Sequence, residues 1–164
     1  MLTPIYFNHV SHDSVSYVVK ASLINVNDIH YLMEWKNQYS SSFFDTRQLT
    51  ASMQRKWYVA YSQRQNDYMF ILSLAETPFG CIGCRIVKDQ EWNLYNVINA
   101  LPSTRGKGIM SSSLDVVVQF CRDLRNLPIT LVVLNDNPAL QWYFSNNFSV
   151  VDSNEFSTKL ILDF

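Results

Sequence analysis

No stretch of this 164-residue chain approaches the run of roughly 18 apolar residues that a membrane-spanning helix needs. Met1 to Val10 carries neither a basic region nor a sustained apolar run, so no secretory leader is expected there. An excess of either charge is also missing: 13 Lys and Arg face 14 Asp and Glu, a net charge of −1. That balance leaves no electrostatic footprint for nucleic acid or for a membrane surface. Cysteine is scarce, and three cannot build a disulfide framework. Cys81-Ile82-Gly83-Cys84 has the spacing of a redox or metal pair, yet it reads as part of a strand over 80–87. An offset of three on a strand sends the two side chains to opposite faces, and no second Cys or His pair completes a zinc site. Buried strand cysteines are the expectation, with Cys121 a core position on a later helix. His9, His12 and His30 lie in the N-terminal fifth without a further ligand nearby, so they read as surface or loop histidines and no metal is expected. Repeats, linkers and low-complexity tracts are absent.

What the chain does have is apolar and aromatic content, 48% and 14%, which supports a substantial core. Its length suits one domain, 1–164, burying roughly two-thirds of its unfolded surface. A soluble, cytoplasmic globular protein is expected, and a homodimer is compatible with it. Residues 1–14 lack clear periodicity and fit either an extra edge strand or a loose arm. Residues 15–24 read as a strand, and Asn27-Asp28 offers an N-cap to a helix carrying Ile29, Leu32, Met33 and Trp35. A polar, Ser-rich stretch over 38–47 contains Phe43-Phe44. Thr50 then caps a helix over 51–63 with Met53, Trp57, Tyr58 and Tyr61 on one stripe. Strands are expected at 67–74 and 80–87 around a turn at 76–80, and again at 94–100 after a turn at 88–92. A helix over 111–124, a strand over 129–134, a helix from Asn137-Pro138 to about Asn146, and strands at 148–152 and 156–163 complete the chain. The order is β-α-α-β-β-β-α-β-α-β-β. Three consecutive strands in the middle exclude a doubly wound sheet and predict a mixed α/β (α+β) fold of about seven strands and four helices.

Pro102-Ser103-Thr104-Arg105-Gly106-Lys107-Gly108-Ile109-Met110 joins a strand to a helix. Glycines strip away the β-carbons that would keep an anion off the backbone, and a helix N-terminus adds about half a positive charge. Arg105 and Lys107 add mobile cations beside it. The loop reads as an anion cradle, most simply for a pyrophosphate. Its spacing matches neither G-x-x-x-x-G-K-[ST] nor G-x-G-x-x-G.

The segment resembles the acyl-CoA signature of the GNAT superfamily of N-acetyltransferases, [Q/R]-x-x-G-x-[G/A], with Arg105, Gly108 and the position of Met110 on the pattern. Met110 departs from the usual Gly or Ala, and G-K-G-[IL]-M is similar to the branch containing ribosomal-protein acetyltransferases. Residues 134–148 resemble the second signature, roughly N-x-x-A-x-x-x-Y-x-x-x-G-F, through Ala139, Tyr143 and Phe148. Asp136 occupies the strict Asn position between Asn135 and Asn137, so which of the three serves there stays open. Asn147 stands in for Gly and is the next-best left-handed cap.

The resemblance implies a single GNAT domain with acetyl-CoA as acyl donor. Binding positions carried over are Arg105, Gly106, Lys107, Gly108, Ile109, Met110, Ser111 and Asn137, together with backbone at Ile98, Asn99 and Ala100 on a strand that splays from its parallel neighbour. It further implies direct attack of an amine on the thioester, an oxyanion held by that strand's N–H groups, and Tyr143 as general acid to the leaving thiolate. No carboxylate lies on the 94–100 strand. Asp89 and Glu91 read as solvated turn charges, so deprotonation through water and backbone carbonyls is expected. Acceptor contacts are expected from Trp35, Asn37, Phe43 and Phe44, a layout similar to acetyltransferases of nucleotide-linked amino sugars and, more loosely, to ribosomal-protein N-terminal acetyltransferases. Core and lid packing by the same aromatics is the alternative, as is a domain that binds acyl-CoA without transferring the acyl group.

Overall fold

Eight runs rich in β-branched and aromatic residues pair into one sheet in the computed structural model, which describes residues 2–163. The strands are β1 (Ile5–Val10), β2 (Ser16–Leu23), β3 (Asp67–Leu74), β4 (Thr77–Val87), β5 (Glu91–Asn99), β6 (Ile129–Leu134), β7 (Phe148–Ser153) and β8 (Ser157–Leu162). Their order across the sheet is β1-β2-β3-β4-β5-β6-β8-β7. Every neighbouring pair is antiparallel except β5 with β6. The helices are α1 (Ile29–Gln38), α2 (Ala51–Ser62), α3 (Ile109–Leu124) and α4 (Leu140–Ser145). None of the described helices is long and apolar enough to cross a membrane.

Period-two alternation sorts the core into two layers. Met69 and Ile71 of β3, with Cys81 of β4 and Ile98 of β5, face α1 and α2 and pack on Leu32, Trp35 and Tyr61. Phe70, Leu72, Ile82 and Cys84 face the other way, onto Leu114, Val117 and Cys121 of α3. Cys81 and Cys84 therefore lie on opposite faces, and all three cysteines are buried and free. Among the described residues no cluster of His, Cys, Asp and Glu could hold a metal.

Several boundaries differ from the sequence expectations. The N-terminal segment is a true edge strand, β1, paired with β2 from Ile5↔Ala21 to Val10↔Ser16, which raises the strand count from about seven to eight. The β3–β4 turn is at Ala75-Glu76, both with positive φ, so β4 begins at Thr77, before the expected position 80. β5 starts at Glu91, α3 at Ile109 and α4 only at Leu140. Asp28 occupies the α1 N-cap position, but its carboxylate turns back to accept the Asn25 N–H at 3.1 Å. Thr50 caps α2 as expected, its hydroxyl accepting from the Met53 N–H at 3.2 Å.

Candidate active site

β5 and β6 pair only from Trp92↔Ile129 to Leu94↔Leu131, and beyond that point the two parallel strands part. β5 bulges where they separate. Cys81 faces Ile98 and Gly83 faces Tyr95, leaving Asn96 and Val97 opposite Ile82, with Asn96 at a φ of 48°. The buried Cys81 thiol, pushed up to about 12 by burial, donates to the Asn96 carbonyl at 3.1 Å and props the bulge. Ala100 donates its N–H to Phe79 at 2.7 Å, so its amide is spent inside the sheet. Strand alternation turns the Ile98 amide the same way and leaves the peptide groups of Val97 and Asn99 facing the gap. Of the three backbone positions expected there, Asn99 alone presents its N–H to the gap. Val97, which the sequence did not single out, turns its peptide group the same way as Asn99 by parity along the strand once the bulge is placed.

The chain leaves β5 through a short 3-10 turn, Pro102–Thr104, whose buried Thr104 hydroxyl donates to the Asn99 side-chain oxygen at 2.7 Å. Gly106 and Gly108 then adopt φ of 70° and 76°, and Gly108 is the N-cap of α3. The first intrahelical bond runs from the Ser112 N–H to the Gly108 carbonyl at 3.1 Å. The N–H groups of Ile109, Met110 and Ser111 consequently have no acceptor in the helix, and no side chain caps them. Ile109 and Met110 bury their side chains in the core, so they offer the loop only backbone. The Ser111 hydroxyl accepts from the Trp142 indole N–H at 3.2 Å. Exposed Arg105 donates to the Tyr39 hydroxyl at 2.7 Å, and Lys107 Nζ sits 5.6 Å from the Tyr17 ring centroid. Two flexible cations flank a set of unclaimed amides, which is what a diphosphate requires.

His9, expected from sequence to be a surface or loop histidine, lies on an edge strand and is held at both ring nitrogens. From β1 its Nε2–H donates to the Lys107 carbonyl at 2.6 Å, and its Nδ1 takes the Ser112 hydroxyl at 2.7 Å. The Lys107 carbonyl can only accept, so Nε2 carries a proton. The edge strand thus grips the Gly-rich loop and the first turn of α3 together. No sequence signal marks a contact between residues 103 positions apart.

Across the gap, Asn137-Pro138-Ala139 forms the turn into α4. Asn137 Oδ1 accepts the Ala139 N–H at 2.9 Å, and its Nδ2 donates to the Ser42 carbonyl at 3.3 Å. Asn135 is committed elsewhere: its Nδ2 donates to Asn154 and its Oδ1 accepts from Thr158, stapling the β7–β8 hairpin. Tyr143 is buried between Trp142 and Phe148, with ring centroids 5.1 and 5.7 Å away. Its hydroxyl has no hydrogen-bond partner among the described residues, and burial pushes it well above the ordinary phenol range. It is a protonated donor at neutral pH.

Asp89 and Glu91 sit at the opposite end of β5, ion-paired with Arg125 at 2.9 Å and Lys159 at 2.9 Å. Neither faces the gap. On the acceptor side, Trp35 is a core residue stacked on Tyr31, and Phe43 is half-buried beneath the Lys36 ammonium, 5.3 Å from its centroid. Asn37 clamps the following segment through both halves of its amide, to the Leu49 N–H at 2.7 Å and carbonyl at 3.0 Å. Phe44 is 63% exposed. A cavity of about 230 Å³ lies between α1, α2 and the bulge, lined by residues that include Lys36, Asp45, Gln54, Trp57 and Asn96. Trp35, Phe43 and Phe44 do not line it.

This chain folds like several solved acetyltransferases. It is similar to a spermidine N-acetyltransferase from Vibrio cholerae in complex with CoA and spermine, with a TM-score of 0.72 and 15% identity over 87% of this chain and 93% of that one. The nucleotide-linked sugar GNAT FdhC gives a TM-score of 0.72 at 14% identity over 96% and 90%. The ribosomal L7/L12 alpha-N-protein acetyltransferase RimL, in complex with CoA, gives 0.72 at 13% over 87% and 92%. No curated protein sequence matches. The acetyltransferase (GNAT) family model matches residues 29–148, from α1 to the first residue of β7, and so takes in the bulged β5, the Gly-rich loop and the turn into α4. The chain belongs to the GNAT acetyltransferase family.

Proposed function

We propose that this chain transfers the acetyl group of acetyl-CoA to a primary amine. The observation that carries this reading is the gap between β5 and β6. It is edged by peptide groups of Val97 and Asn99, ends at the unclaimed amides of Ile109 to Ser111, and faces the α4 helix that bears Tyr143. An extended pantetheine chain pairs with such a strand edge as a peptide would, while the diphosphate sits on the loop amides with Arg105 and Lys107. The amine enters from the cavity beside the bulge. Its nitrogen lone pair attacks the thioester carbonyl carbon, the carbon–sulfur bond breaks, and the gap-facing N–H of Asn99 or Val97 stabilises the developing oxyanion. Tyr143 gives its phenolic proton to the departing thiolate, contributing on the order of 10²–10⁴-fold. Asp45, the one carboxylate lining the cavity among the described residues, is held well below the usual range by Arg47 and does not serve as base. The ammonium proton leaves through water.

The test is acetyl-CoA consumption screened over amino sugars, polyamines, amino acids and N-terminal peptides, with Tyr143→Phe in parallel. The variant is expected to lose about 10²-fold or more in kcat while its CoA dissociation constant stays within about twofold. Because burial raises the Tyr143 pKa, wild-type kcat/KM rises with pH as the amine deprotonates, with no falling limb below about pH 10. A Tyr143→Phe variant as fast as wild type at every pH sinks the acid role. Tight CoA binding without any turnover would instead mark a domain that binds acyl-CoA and transfers nothing.

A further inference from the structure

The cavity beside the bulge has an uneven polar lining. Gln54 is only 4% exposed and lines the cavity, yet its Nε2 has no hydrogen-bond partner. A buried amide N–H pair left without an acceptor destabilises the free protein, so its retention points to an acceptor atom supplied from outside. Lys36, from α1, lines the same space and makes no ion pair among the described residues; it sits 5.3 Å from the Phe43 ring centroid and feels the Asp45 carboxylate only at longer range. Burial lowers its pKa, the mark of a cation with too little counter-charge. Asp45, the only carboxylate lining the cavity among the described residues, makes a two-pronged contact with Arg47, at 2.9 and 2.7 Å. Those two charges cancel. What remains among the described residues is a net positive charge, two cations facing the single Asp45 carboxylate, and one N–H donor without a partner. Trp57, Leu32 and Met53 supply apolar walls for the rest of an acceptor.

Resting on the transferase reading above, we infer that the acceptor is an amine that carries an anionic group, a carboxylate or a phosphate, seated on Lys36 Nζ and Gln54 Nε2. A polyamine is the wrong ligand for this cavity. It would bring further positive charge against Lys36, find no free carboxylate, and leave the Gln54 amide unpaired. The anion also orients the acceptor, holding its free amine toward the bulge and the gap beyond it.

Matched pairs test this: lysine against cadaverine for a carboxylate, glucosamine 6-phosphate against glucosamine for a phosphate, with spermidine as the polycationic control. The wild-type protein is expected to favour the anionic member of at least one pair by about tenfold or more in kcat/KM. The pair that shows the preference tells carboxylate from phosphate. In Lys36→Met and Gln54→Leu the anionic-to-neutral ratio falls toward one, through KM and not kcat. Gln54→Leu is further expected to raise the melting temperature, because it removes an unpaired buried amide; a merely structural Gln54 would lower it. Amines that lack the anion, or spermidine, used as well as the anion-bearing members overturn the inference, as does a ratio that Lys36→Met leaves untouched. Calorimetric titration of the same compounds into CoA-loaded protein separates the two readings. Binding that favours the anionic members and depends on Lys36, without any acetyl transfer, keeps the cavity's assignment and sinks the transferase. Binding indifferent to the anion and to Lys36 sinks the cavity's assignment even if transfer occurs.

Discussion

Gly108 holds two constraints at a single residue. Its φ of 76° belongs to the left-handed region, and a β-carbon placed there would lie 3.2 Å from His9 Cε1. Gly106 has a similar φ of 70°, yet nothing lies within 4 Å of its missing β-carbon, so backbone conformation alone selects it. Gly108→Ala is expected to cost about 1 kcal/mol from the left-handed conformation. That is a melting-temperature drop of roughly 2–4 °C for a domain this size. It should also raise the KM for acetyl-CoA, because the first turn of α3 must shift to clear the imidazole. Calorimetry and acetyl-CoA titration check the two effects, and a KM unchanged in a destabilised variant would detach the loop geometry from cofactor binding. At this scale the loop was legible because glycine spacing and flanking cations are chemistry written in sequence. The roles of Asn135 and Asn137 were not legible. Two asparagines of equal chemistry, two positions apart, differ only in whether they face Asn154 and Thr158 or Ala139 and Ser42.

At the level of elements, β1 acts as a brace for α3 and the loop. Its alternate residues Ile5, Phe7 and His9 are half-buried while Tyr6, Asn8 and Val10 are exposed. The first 14 residues left strand and loose arm open because a polar His9 among apolar inward positions blurs the period-two pattern. His9→Ala is expected to leave the fold intact and raise the dissociation constant for CoA by about three- to tenfold, roughly the worth of one or two hydrogen bonds. Acceptor KM at saturating acetyl-CoA should not move. CoA titration of the variant decides it: unchanged affinity would make His9 a packing residue only. The 3-10 turn after α1, Ser40–Ser42, is a second element whose place no local signal gives. Through Tyr39 and Ser42 it touches Arg105 beyond β5 and Asn137 beside α4, joining both banks of the gap. Helix α2, by contrast, was readable from Thr50 and its aromatic stripe, since caps and periodicity are local.

The whole molecule has a direction in its pH dependence. Tyr61 is pushed up to about 12 by burial, Cys81 likewise to about 12, and burial also raises Tyr95 and Tyr143. Each folded-state value lies above the unfolded one, so the unfolded chain gives up these protons at lower pH. The resulting stability is fully present below about pH 9 and is lost as pH rises toward 12. Urea midpoints are expected to hold level through pH 9 and to fall between pH 10 and 12. Tyrosinate absorbance at 295 nm should appear together with the loss of ellipticity. Tyrosinate forming well before unfolding would mean that these hydroxyls reach water in the native state.

By itself the sequence determined the strand and helix order from β2 onward, the two-faced placement of Cys81 and Cys84, the Gly-rich turn into α3 and the position of Tyr143 on its helix. These follow from backbone periodicity, capping and glycine spacing, all of which act within a few residues of chain. Only the tertiary structure decided the rest. It showed which way the β5 peptide groups turn, that Asp45 is ion-paired with Arg47, that His9 grips the loop, and that Lys36 outside any ion pair and an unpartnered Gln54 amide line one cavity beside the bulge. Those properties depend on where distant segments meet and on which partners are already taken, and spacing along a chain carries neither.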